Sequence, residues 1–312
     1  MPLGIKPTVD FAFKKIFGSP ESVNALIGLL NAILVFPHPI TQVTILNPFS
    51  YQDFAEDKLV VLDIRALDSG GRWLNIEMQV SIVSGLTQRL VYYACSLYVD
   101  QLRSGQNYAS LQPAISICLL SDVVFHDTAT AHHRFRLCDP VEGKELPNAV
   151  EVHTVELTKY NLDETTISQA SKIEQWAYFL LFADQYEPWR LRELLVDIEF
   201  QEAITLVEQI AHKTEDRAMY DQREKAQRDH QWLTEGACIA AHEKGLKEGR
   251  EEGREEGREE GREEGAVAGK IEVLQQLLGE PERSLQNLLQ LPLQELTHLL
   301  SELQERLRLR GG

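Results

Sequence analysis

Cysteine is scarce in this chain, and Cys95, Cys118, Cys138 and Cys238 include no Cys-x-x-Cys pair. That spacing argues against a zinc ribbon or a disulfide framework and leaves them as small buried hydrophobes. Long apolar runs are missing too. The longest, residues 25–36, falls well short of the roughly 20 residues of a membrane-spanning helix. No basic-then-apolar leader opens the sequence, so a cytoplasmic protein with no membrane partner is expected. No Gly-rich phosphate loop, P-loop or nucleophile elbow occurs either. Basic residues are outnumbered, 31 against 48, for a net charge of -17. Such acidity argues at first against nucleic acid, whose backbone is bound by Lys and Arg. The distribution weakens that objection: residues 1–140 carry 10 basic and 12 acidic side chains and are nearly neutral.

What is present suffices for at least one full core and one or two domains, with 43% hydrophobic residues over 312 positions. Phe13, Ile16 and Phe17, then Leu26, Leu29, Leu30 and Ile33, recur at helical spacing around Gly18-Ser19-Pro20, predicting a short helix, a turn and a longer helix. Strand-like stretches follow at 40–46, 58–67 and 72–80, the last two joined by Asp68-Ser69-Gly70-Gly71, a strong hairpin signal. A helical stripe at 86–102 and an apolar run at 113–124 complete an α-β-β-β-α-β order. Strands at 133–137 and 150–157 and helices at 168–182 and 189–211 extend the same domain.

The hairpin carries the chemistry. Asp63 stands in the middle of an apolar strand, a costly position unless something pairs it. On the partner strand Asn75, Glu77 and Gln79 share one face and Leu74, Ile76 and Met78 the other. A turn centred near Gly70 sets Asp63 across from Glu77, with Cβ atoms about 5 Å apart. Two such carboxylates repel unless a cation lies between them, and Mg²⁺ favours carboxylates with waters and phosphate oxygens. Gln79 points into the same space and is suited to orienting an attacking water. Spacing alone leaves a second reading open, in which these residues are simply the wet face of a hairpin.

The element order, with Asp on the second strand and Glu-x-Gln on the third, resembles the PD-(D/E)XK nuclease superfamily. In particular it resembles the recombination-promoting nuclease and transposase branch, through Asp10-Phe-Ala-Phe-Lys14-Lys-Ile-Phe-Gly18, Leu29-Leu-Asn31-Ala-Ile-Leu34, Asp57-Lys58, Leu62-Asp63-Ile64, Asn75-Ile-Glu77-Met-Gln79, Arg89, Tyr92-Tyr93 and Gly105-Gln-Asn-Tyr108. In that branch Gln commonly replaces the superfamily's Lys. The resemblance implies a restriction-endonuclease-like α/β fold and a DNA endonuclease using Mg²⁺, or Mn²⁺, linked to recombination and mobile elements. It also implies Asp63 and Glu77 as metal ligands and Gln79 as the third site member. Asp10 or Glu21 is a further acidic candidate, against a plain helix-cap role. Lys14 and Lys15 are candidates for phosphate contact, against simple solvation. Arg89 is suited either to binding phosphate or to pairing with an acid. His132-His133, with His126 and His153, give a poor zinc site, since neighbours on a strand face opposite ways.

Three regions are expected: residues 1–212 as the nuclease-like domain with its core in 1–125, 213–269 as a helical arm with a Gly-Arg-Glu-Glu repeat linker, and 270–312 as a leucine-rich helical hairpin. The hairpin also resembles a small helical module of unknown function found behind such nucleases. The arm's repeat reads either as a solvated linker or, through its drifting glycine stripe, as a close-packing helix. The apolar richness of the C-terminal hairpin suggests homo-oligomerisation or partner docking. A competing function is a catalytically silent nuclease-fold scaffold. A strand-transferring transposase would need end-recognition elements that the sequence does not display.

Overall fold

A computed structural model describes residues 1–51, 64–82, 85–103, 105–279 and 284–310. Asp63, Asp57-Lys58, Pro281 and the first part of the expected 58–67 strand lie outside the described residues. The chain divides into two compact units, Met1–Gln231 and Trp232–Gly312.

In the first unit, helix α1 (Asp10–Gly18) buries Phe11, Phe13, Ile16 and Phe17 and stops before Pro20, with Ser19 extended as a residue preceding proline must be. Helix α2 (Val23–Ile33) buries Ala25, Leu26, Leu29, Leu30 and Ile33, one stripe at 3.6 periodicity. Beyond α2, the Asn31 side chain brackets Ile40 by donating to its carbonyl and accepting from its amide. Strands β1 (Val43–Ile45), β2 (Ile64–Asp68) and β3 (Trp73–Gln79) pair antiparallel. In the β2–β3 turn, Gly71 adopts φ +80°, and the Asp68 carboxylate accepts from the amides of Gly70 and Arg72 and from Arg72 Nε.

The chain then crosses over through the helix Leu86–Val99 to β4 (Ala114–Leu120), which lies parallel to β3. Strands β5 (His132–Arg136) and β6 (Val150–Glu156) finish, among the described residues, a six-stranded mixed sheet in the order β1-β2-β3-β4-β6-β5. Against one face Ile64, Ala66, Leu74, Ile76, Ile115, Ile117 and Val155 pack with α1, α2 and the helices Lys172–Phe182 and Ile198–His212. Against the other, Leu86, Leu90 and Ala94 of the crossover helix cover Cys118, Leu120 and Val152.

The helix expected at 189–211 is two, Pro188–Leu194 and Ile198–His212. Leu195 leaves helical geometry, and the carbonyl freed there accepts from Gln201 Nε2 at 2.7 Å.

The helix Thr214–Leu278 contributes its first turns to the first unit and its remainder to the second. The Gly-Arg-Glu-Glu repeat is helical throughout. In the second unit Ala268, Ile271 and Leu278 pack with Leu288, Leu296 and Leu303, the latter two on the helix Leu293–Arg310. Among the described residues no helix is long and apolar enough to cross a membrane.

Candidate active site

Period-two alternation on β3 sets Asn75, Glu77 and Gln79 side by side, and the parallel register places them beside Ser116, Cys118 and Leu120 of β4. Two of the three β3 residues on this face are buried. Asn75 is 2% exposed and Glu77 7%, because the crossover helix roofs the sheet here. On β3 the alternating pattern therefore marks an enclosed pair, Asn75 and Glu77, with Gln79 partly buried, while Arg65, paired with Asn75 on β2, is exposed.

Arg89, in the first turn of that helix, reaches down to β3. One Nη lies 3.6 Å from Glu77 Oε1 and also donates to Gln79 Oε1. The Gln79 amide nitrogen donates to the Ser81 carbonyl at 2.6 Å, so both ends of its amide are engaged within the protein. Arg89 also lies over the Tyr93 ring, 5.9 Å from its centroid. Cys118 touches Glu77: burial, followed by the Glu77 charge and hydrogen bond, pushes its thiol well up, with Arg89 opposing. Both amide atoms of Asn75 and the Ser116 hydroxyl are buried with no hydrogen-bond partner among the described residues. Such groups normally find water or a ligand.

Glu77, Gln79 and Arg89 thus come together. Asp63 lies outside the described residues; it precedes Ile64, which pairs with Ile76, the neighbour of Glu77. Asp10 makes other contacts: its carboxylate accepts from the Phe11 amide at 2.6 Å and faces Arg223 at 3.9 Å. Burial raises its pKa, with Arg223 and the Phe11 amide opposing. Lys14 and Lys15 are not the exposed, solvated lysines that a surface helix would carry, being 3% and 7% exposed. Lys15 is held by Asp216 and Tyr51. Glu21 is exposed beside a cleft of about 640 Å³ that Lys15, Tyr51 and Lys213 also line.

Cys95 and Cys138 are exposed, and only Cys118 among the described cysteines is the buried hydrophobe expected. Its contact with Glu77 had no signal in sequence, because it stands in an unbroken apolar strand whose register fixes its neighbour. His132 and His133 diverge: His132 meets His153 at 2.7 Å, whereas His133 faces Glu156 at 4.0 Å. Among the described residues no group of three or more His, Cys, Asp or Glu side chains is gathered as a metal cluster.

A mixed sheet entered through α-β-β-β-α-β, with an enclosed glutamate on the third strand, is the PD-(D/E)XK architecture. A family model described as a PD-(D/E)XK nuclease family transposase matches residues 7–237, well over half of the chain, and the chain belongs to that family. No curated protein and no solved structure matches it.

Proposed function

We propose that this chain is a divalent-metal-dependent DNA endonuclease that hydrolyses phosphodiester bonds, acting in recombination or on mobile elements. Asp63 and Glu77 would hold the ion, Mg²⁺ or Mn²⁺. The observation that carries this reading is the enclosed Glu77 carboxylate beside Arg89 in a chain of a nuclease family. The donors suit a hard cation: Glu77 offers carboxylate oxygen, and the buried Asn75 amide oxygen and Ser116 hydroxyl, also oxygens, are unsatisfied close by. When bound, such an ion polarises the scissile phosphate and acidifies a water. The chain's own part is to enclose the carboxylate, set it on a strand of the central sheet and balance its charge with Arg89. The crossover helix limits solvent access to Glu77, which strengthens electrostatic interactions there.

Supercoiled plasmid should be nicked or linearised only with Mg²⁺ or Mn²⁺, and Asp63→Ala and Glu77→Gln proteins should be inert. Equal cleavage by wild type and Asp63→Ala would sink the proposal. The scaffold reading draws on the uncharged Gln79 and on exposed Leu277 and Leu309 in the leucine-rich C-terminal region, where we place self-association. Absence of Glu77-dependent metal binding in calorimetry would favour it.

A further inference from the structure

A neutral side chain at position 79 has a structural counterpart ten residues on. The Gln79 carbonyl oxygen accepts from the Arg89 guanidinium, and its amide nitrogen is tied to Ser81, so neither end is directed to a water. A lysine at 79 would instead set two cations within hydrogen-bonding range of each other, and like charges at that distance repel strongly. Gln79 therefore permits a cation to enter from the crossover helix where a charged strand residue would exclude it. The Arg89 side chain is 33% exposed, and its Nε has no hydrogen-bond partner among the described residues. A guanidinium with an unused donor is suited to phosphate, which its planar fork matches.

We propose that Arg89 is the cation that engages the scissile phosphate and that Gln79 is its positioning residue. This assignment rests on the metal-dependent reading of the site and adds a consequence which that reading lacks. Because Arg89 lies 3.6 Å from Glu77, it competes with a divalent ion for that carboxylate. Removing its charge should tighten metal binding while weakening DNA binding and cleavage. Loss of a merely structural contact would not produce those opposite signs.

The test uses full-length protein with Arg89→Gln, which keeps a hydrogen-bonding partner for Gln79 but no charge, and with Arg89→Gln/Gln79→Lys, which returns a cation from the strand. Thermal melting confirms that each is folded, and Arg89→Lys stands in if Arg89→Gln is not, with Mn²⁺ affinity expected to stay at the wild-type value. Calorimetric titration with Mn²⁺ should show Arg89→Gln binding about threefold or more tighter, and duplex DNA affinity in Ca²⁺ should fall about tenfold. Cleavage should drop about 100-fold, with the double variant recovering to within about tenfold of wild type. Mn²⁺ binding that depends on Glu77 but is unchanged or weaker in Arg89→Gln, undiminished cleavage, or no recovery in the double variant overturns the Arg89 assignment alone. Wild-type protein showing no Glu77-dependent Mn²⁺ binding overturns the metal reading and this inference with it.

Discussion

The Lys15 ammonium lies 2.5 Å from Asp216 Oδ2, an ion pair closed between residues 201 positions apart in which the Asp216 side chain is fully buried. The Tyr51 hydroxyl completes it, donating to Asp216 Oδ1 at 2.7 Å and accepting from Lys15 at 2.9 Å. Removing one partner of such a pair strands a buried charge. Asp216→Ala should therefore lose about 3–5 kcal/mol of unfolding free energy in urea. The apolar double variant Lys15→Met/Asp216→Leu should recover most of it. A loss below about 1 kcal/mol in Asp216→Ala would show that the pair contributes little.

At Gly28, α2 lies close against Glu199 of the helix Ile198–His212. A Cβ added there would stand 2.7 Å from Glu199 Cγ, 2.8 Å from its Cβ and 3.3 Å from the Trp176 ring. Alanine ordinarily favours a helix interior over glycine by about 1 kcal/mol. Overpacking costs about 1–3 kcal/mol and should outweigh that gain. Gly28→Ala is expected to lower Tm by several degrees, and a rise in Tm would show that the helices move apart freely.

Acid should act on the β5–β6 edge in two steps. His132 is held at about 4, chiefly by burial and then by the neighbouring charges of His153, His133 and Arg134, with Glu151 opposing. Its folded value lies below the ordinary 6.5, so the unfolded chain takes up a proton that the fold resists. Stability is then unaffected above pH 6.5 and falls as pH drops from 6.5 to about 4. Glu151 follows: burial pushes its carboxyl up, but hydrogen bonds from His153 and Arg134 prevail and hold it at about 2. Its stabilisation is complete above 4.5 and is lost between there and about 2. For the half-buried His132, solvent screening leaves on the order of 1–2 kcal/mol. Urea midpoints from pH 7 to pH 4 should therefore decline less steeply in His132→Gln than in wild type, and parallel slopes would refute the assignment.

The parts legible in sequence were those fixed by local geometry. Glycines at 70 and 71 announced the hairpin, period-two alternation separated Glu77 from Ile76, and the divergence of His132 from His133 followed from the strand itself. What escaped depends on distant chain. The polar face of β3 looked solvated because nothing in its own pattern reveals a helix roof, and Lys14 and Lys15 looked exposed although Lys15 is neutralised by a carboxylate on a far helix. Arg89 was open between phosphate and acid until the crossover helix set it against both Glu77 and Gln79.

The two rims of the sheet bear on how this protein meets its neighbours. At one, β1 is three residues long; at the other, β5 carries Arg134 and Arg136, each locked onto a glutamate, Glu151 and Glu145. Short borders and fixed charges disfavour strand addition. Among the described residues, a second copy finds little purchase for backbone pairing at these two rims of the sheet.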